Sequence, residues 1–119
     1  MKDGTFKEQR METLRSKPLE SSHVISVGMK RDINKSLPEI EEIGAVFCAV
    51  ENIYLTAAAY GIGCYLSTGG ITYFEEAKSF FNLSPDDKFL GLIYLGVPKQ
   101  WPAGTKRKNV NEVVKWVDK

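Results

Sequence analysis

Residues able to carry acid–base or nucleophilic chemistry are few in this 119-residue sequence. The single histidine, His23, precedes a strand-like run and has no Ser, Cys or carboxylate partner at a motif spacing, so it reads as structural. Glu41, Glu42 and Glu51 could share one helix. The first two fall at its solvated N-terminal end, where the helix dipole favours carboxylates. Cys48 and Cys64 sit in apolar sequence, without the close spacing or electropositive setting of a redox pair. They read as buried structural thiols of a reducing compartment. One histidine and two cysteines make no recognisable zinc pattern. Nothing here supports hydrolysis.

The segment GIGCYLSTGG, residues 61–70, is different, with four glycines in ten residues. Glycines at a helix-to-strand turn and at a strand end are costly unless the backbone turns tightly or approaches something closely. A C-cap followed by a turn accounts for Gly61 and Gly63 better than for Gly69 and Gly70. The dinucleotide fingerprint is excluded, because it needs a strand before its glycines and a helix after them.

The elements that would position this segment follow from periodicity. Residues 5–17 are rich in helix formers and predict a surface helix ending before Pro18. HVISVGM, residues 23–29, reads as a strand, and residues 30–35 as a polar loop. Ser36 and Glu39 match a capping box around Pro38, opening a helix to residue 60. Apolar residues recur there at Ile43, Val46, Phe47, Val50, Ile53, Tyr54 and Ala57, with alanines and Leu55 filling the other faces. Such a helix belongs inside a core, with Val46, Phe47, Val50 and Ile53 buried, and Gly61 supplies its C-cap. Residues 62–66 read as a short buried strand. Residues 73–82 read as an amphipathic helix with Phe74, Ala77, Phe80 and Phe81 on one side. After a turn at 84–87, KFLGLIYL (88–95) reads as a central strand. Asn109 caps a last turn of helix reaching toward Trp116.

Composition bounds the rest. Apolar residues make up 43%, as in soluble globular domains, and the net charge is +1, so charge offers no argument for nucleic acid or membrane partners. The first 17 residues lack an apolar signal core, and Glu51, Asn52 and glycines interrupt the apolar run below membrane-spanning length. These features predict a cytoplasmic protein. The remaining strands and short helices can hardly cover the long helix. The chain therefore reads as an intertwined oligomer or as part of a larger parent domain.

The ordered series PEIEEIGAVFCAVENIYLTAAAYGIGCYLSTGG, a short helix, then LSPDDKFLGLIYLGVPKQ resembles the C-terminal part of FMN-dependent nitroreductases. The strand ends in the family's Leu-Gly-x-Pro, here Leu95-Gly96-Val97-Pro98, and KPLESSHVISVGMKRD resembles the family's middle strand. The likeness covers roughly residues 14–116.

This resemblance implies an α+β fold: a mixed, mostly antiparallel sheet flanked by helices, nitroreductase-like, truncated at the N-terminus and forming an intertwined homodimer. Residues 1–119 would be one partial domain. About 1–22 would be helix and linker, and 23–119 the core sheet, the long buried helix and a C-terminal arm. It implies FMN in a groove between subunits, NAD(P)H as hydride donor, and a nitro compound, quinone or similar small molecule as acceptor. By position, Leu66, Ser67, Thr68, Gly69 and Gly70 would lie against the flavin ring. Many relatives have tryptophan where Leu66 stands, so stacking is not implied there. Arg107, within Lys106-Arg107-Lys108, would reach the FMN phosphate, with a solvated basic tail as the alternative. The family's N-terminal phosphate-gripping segment has no counterpart here, so the sequence reads as a fragment of a longer enzyme or a truncated product. The competing reading is a non-catalytic remnant, a dimerising module with weak or no flavin binding.

Overall fold

A computed structural model describes residue 12 and residues 15–117 of the chain. The helix expected over 5–17 falls largely outside the described residues. A 3-10 turn at Lys17–Glu20 leads into β1 (His23–Met29). There follow α1 (Glu39–Ala59), β2 (Gly63–Ser67), a 3-10 turn at Gly70–Tyr73, α2 (Glu75–Phe80), β3 (Lys88–Gly96) and the single turn α3 (Val110–Val113).

The three strands form one sheet in the order β1-β3-β2, with both pairings antiparallel. The apolar run of β3 is central, as its sequence required. β1 aligns Ile25 with Ile93 and carries a bulge between Val27 and Gly28. β2 aligns Gly63 with Gly96 and Ser67 with Leu92. Expected to be buried, β2 is instead an edge strand with Tyr65 exposed. No further strand pairs along its outer side among the described residues.

The core joins α1 to the sheet. Val27, Val50 and Ile93 are buried together, with Val46, Ile53, Tyr54, Cys64, Leu66, Leu90 and Leu95 packed around them. A narrow sheet covers only one stripe of α1. Within α1 only Val50 and Ala57 are buried outright, while Ile40, Leu55 and Phe47 stay exposed. Phe47 therefore departs from the expected burial, since no element among the described residues covers its face of the helix. Cys48 is exposed for the same reason. By length and hydropathy alone α1 could span a membrane, so Glu51 and Asn52 do not interrupt it as expected. Its buried stripe nevertheless packs against a sheet.

The ends of α1 differ in how far local sequence decided them. At the C-terminus Gly61 adopts φ +68°. The Ile62 N–H donates to the Ala57 carbonyl (2.9 Å) and the Gly61 N–H to the Ala58 carbonyl (3.0 Å), the paired bonds of a Schellman cap. At the N-terminus the expected capping box is absent, and Pro38 occupies the cap without a side-chain bond. Ser36 instead donates its N–H and its hydroxyl to Asp32, and Glu39 pairs with Lys88 at 2.9 Å. Glu42, expected to be solvated, is largely buried and pairs with Arg31, while also accepting from the Asp32 N–H at 3.0 Å.

α2 is shorter than the helix expected over 73–82. Its Ala77 is buried and Phe81 stacks on Phe89 with ring centres 4.7 Å apart, but Phe74 and Phe80 point to solvent.

Candidate functional site

β2 leaves the sheet at Ser67, and the chain then crosses Thr68, Gly69 and Gly70 before the 3-10 turn. Three features set where it leaves. The Leu66 side chain packs into the core. The Leu66 N–H donates to the Tyr54 hydroxyl of α1 at 2.5 Å. Ser67 lies opposite Leu92 in the ladder, so close to Gly91 that a Cβ there would meet the Ser67 carbonyl oxygen at 2.8 Å. Gly91 is a site-forming residue that the sequence did not reveal, because its need for glycine comes from a neighbouring strand.

Beyond Ser67 the backbone opens. The Thr68 carbonyl accepts from the Thr72 hydroxyl at 2.7 Å. Gly69 is extended, and Gly70 adopts φ +66°, a conformation that favours glycine. An added Cβ at either glycine would meet nothing within 4 Å. Among the described residues, outside helices and ladder, no backbone acceptor takes the N–H of Thr68, Gly69 or Gly70. The result is an exposed ledge of backbone donors on a well-anchored strand end.

Tyr54 lies behind this ledge. Burial pushes its hydroxyl above the ordinary value of 10.0, so the phenol stays neutral in the ordinary pH range. Burial likewise raises the Cys64 thiol above 9.0, which leaves it a poor nucleophile.

Arg107 is exposed in the C-terminal segment, where it lines a shallow cleft with Lys106, Lys108, Asn109 and Glu112. Asn109 caps α3 as expected, its side chain accepting from the Asn111 N–H at 3.0 Å. No residue of 66–70 lines that cleft. Leu66, Ser67, Thr68, Gly69 and Gly70 follow one another at the end of β2, while Arg107 lines a different concavity.

A second concavity of about 550 Å³ lies between the C-terminal half of α1 and the sheet, walled mainly by Ile53, Ala57, Ile62, Leu95 and Val97. His23 and Asn52 also line it. It sits at the opposite end of β2 from Thr68, so it is separate from the ledge. Sequence reasoning missed it because its walls come from three segments far apart in the chain.

Comparison with known proteins gives this geometry a context. The nitroreductase family matches residues 3–97. YdjA of Escherichia coli (strain K12), named as an NAD(P)H nitroreductase, is 27% identical over 92 residues, covering 77% of this chain and 50% of YdjA. YfhC of Bacillus subtilis, similarly named, is 28% identical over 72 residues, covering 60% of this chain and 37% of YfhC. Among solved structures, a nitroreductase-like family protein from Bacillus cereus superposes with a TM-score of 0.77 at 22% identity, covering 93% of this chain and 60% of its own. A Desulfovibrio desulfuricans protein, described as a nitroreductase and solved with FMN, gives 0.61 at 25% identity, covering 76% and 52%. The chain spans half or less of the length of these curated relatives.

Proposed function

We infer that this chain, which belongs to the nitroreductase family, carries the ring-facing part of an FMN site in an oxidoreductase. That enzyme takes hydride equivalents from NAD(P)H and passes them to a nitro compound, quinone or similar acceptor. The observation that carries this reading is the open ledge at the end of β2. A flat ring can approach a backbone only where side chains do not intervene, and Gly69 and Gly70 leave that space free. The N–H groups of Thr68, Gly69 and Gly70 are the donors available to it.

When bound, FMN supplies the hydride chemistry, which is why the chain needs no acid–base dyad of its own. The chain's part is to bind and orient. Backbone donors aimed at the ring's polar edge favour negative charge there without reorganising. Arg107 suits the phosphate through its forked donors. This reading places the ring in a groove between two copies of the chain, as an intertwined homodimer. The free thiols Cys48 and Cys64 suit a cytoplasmic setting.

Titration with FMN and with riboflavin, followed by flavin fluorescence, tests the reading. FMN should bind more tightly than riboflavin by about tenfold or more, since each charge-assisted phosphate bond contributes roughly 1.5–3 kcal/mol. Arg107→Ala should erase the difference. Absence of binding by either ligand at high micromolar concentration would instead favour a dimerising, non-catalytic module. Equal binding would leave the ring site standing and make residues 106–108 a solvated tail.

A further inference from the structure

We propose that Tyr54 is a positioning residue for the flavin site: its hydroxyl takes the outward N–H of Leu66 and thereby fixes Thr68, Gly69 and Gly70 as the ring's backbone donors. The proposal rests on the flavin reading above and refines it.

In an antiparallel pair, successive N–H groups of a strand alternate between pointing at the partner and away from it. β2 has β3 on one side only. The Leu66 N–H bonds to α1 rather than to β3, so it points outward, and the Ser67 N–H points inward to the ladder. The N–H of Thr68 is then the next outward donor on the same edge. A half-buried edge strand left with unpaired donors would be free to slide or twist. Tyr54 removes that freedom one residue before the ladder ends.

The anchor is stiff. Tyr54 stands in mid-helix on α1, and its ring packs against the buried cluster of Val27, Val50 and Ile93. Its oxygen therefore has little room to move, and neither does the strand edge bonded to it. Leu66 is held twice, by its side chain in the core and by its N–H on Tyr54. Neither group is then available to a ring. Leu66, placed by family resemblance among the ring contacts, becomes the pivot behind them, and the contacts begin at Thr68. Tyrosine is suited to this role because it spans from helix to strand edge and its phenol oxygen accepts the N–H.

Tyr54→Phe keeps the ring packing and removes only the oxygen. Amide hydrogen exchange on the ligand-free protein should accelerate at Leu66 by tenfold or more, while α1 exchanges as before. FMN binding should weaken about fivefold, the loss expected for one ordering hydrogen bond. The absorption band of the bound flavin should shift, and its midpoint potential should become more negative, because displaced donors stabilise the reduced ring less. A role confined to stability would leave band and potential unchanged. Should Tyr54→Phe fail to fold, 3-fluorotyrosine at position 54 preserves packing and weakens the oxygen as an acceptor. It should then shift the flavin band in the same direction. If the unaltered protein binds FMN and neither variant changes affinity or spectrum, the positioning role is overturned and the flavin reading stands. If the unaltered protein binds no FMN, both fall together.

Discussion

Gly91 and Asp87 show how single residues act on the ledge and its surroundings. At Gly91 a methyl group would press on the Ser67 carbonyl at 2.8 Å and the Leu66 side chain at 3.0 Å. Backbone cannot yield as a side chain would, so Gly91→Ala should push the end of β2 away from β3. We expect a loss of about 1–3 kcal/mol, as for other overpacked sites, measured by urea unfolding. Asp87 is a buried carboxylate, 2% exposed, that accepts from the Ser84 N–H at 2.7 Å and the Arg31 N–H at 2.8 Å. Bonds from Ser84, then from Arg31, hold it below the ordinary 3.8. A carboxyl depressed on folding adds stability that is present above its unfolded value and lost as pH falls through its folded value. Asp87→Asn should therefore lower the melting temperature at pH 7. The gap from the unaltered protein should narrow as the pH drops below 3.8. A gap that stayed constant down to pH 2.5 would contradict this account.

Among elements, α1 dominates. Its stripe of Val46, Val50, Ile53 and Ala57 is the one face that the sheet covers, and Val50 lies against Val27 and Ile93 at the centre. Val50→Asp would place a charge there with no partner. Such a charge costs several kcal/mol, comparable to the whole stability of a small domain. The variant should fail to accumulate as soluble, cooperatively melting protein; a sharp thermal transition from it would show that the sheet does not depend on this contact. The N-terminal end of α1 is tied differently, through Glu42 to Arg31 and through Glu39 to Lys88. The first pair is largely buried, so removing Arg31 alone would strand Glu42, whereas the second is half exposed and contributes little.

The described residues leave much apolar surface uncovered. Beyond the outer face of α1, the C-terminal segment exposes Trp101, Val113 and Trp116. The Cα radius of gyration is 18.0 Å, against about 13.5 Å for a compact chain of this length. An extended chain with exposed aromatic and aliphatic side chains requires a covering surface. A second copy is the covering that the proposed site also needs, so we expect a homodimer in sedimentation at micromolar concentration. A stable monomer would mean that the exposed face of α1 is tolerated in water.

Local sequence determined what depends on near neighbours. The helical period of α1, the Gly61 cap, strand β1 over its full span and the apolar run of β3 were all legible. Each is decided within a few residues by backbone preference and periodicity. The glycines of the ledge were legible too, but only as an oddity whose meaning came from family likeness. Tertiary structure decided what depends on partners far apart in the chain. Ser36 turned to Asp32 rather than capping α1, and Glu42 was buried by Arg31. Asp87 was paired with a backbone N–H 56 residues away. β2 became an edge because β3 alone borders it among the described residues, and that edge is why Tyr54 has an N–H to hold. Neither propensity nor spacing encodes which outward donor meets which side chain, since that follows from how the helix settles on the sheet.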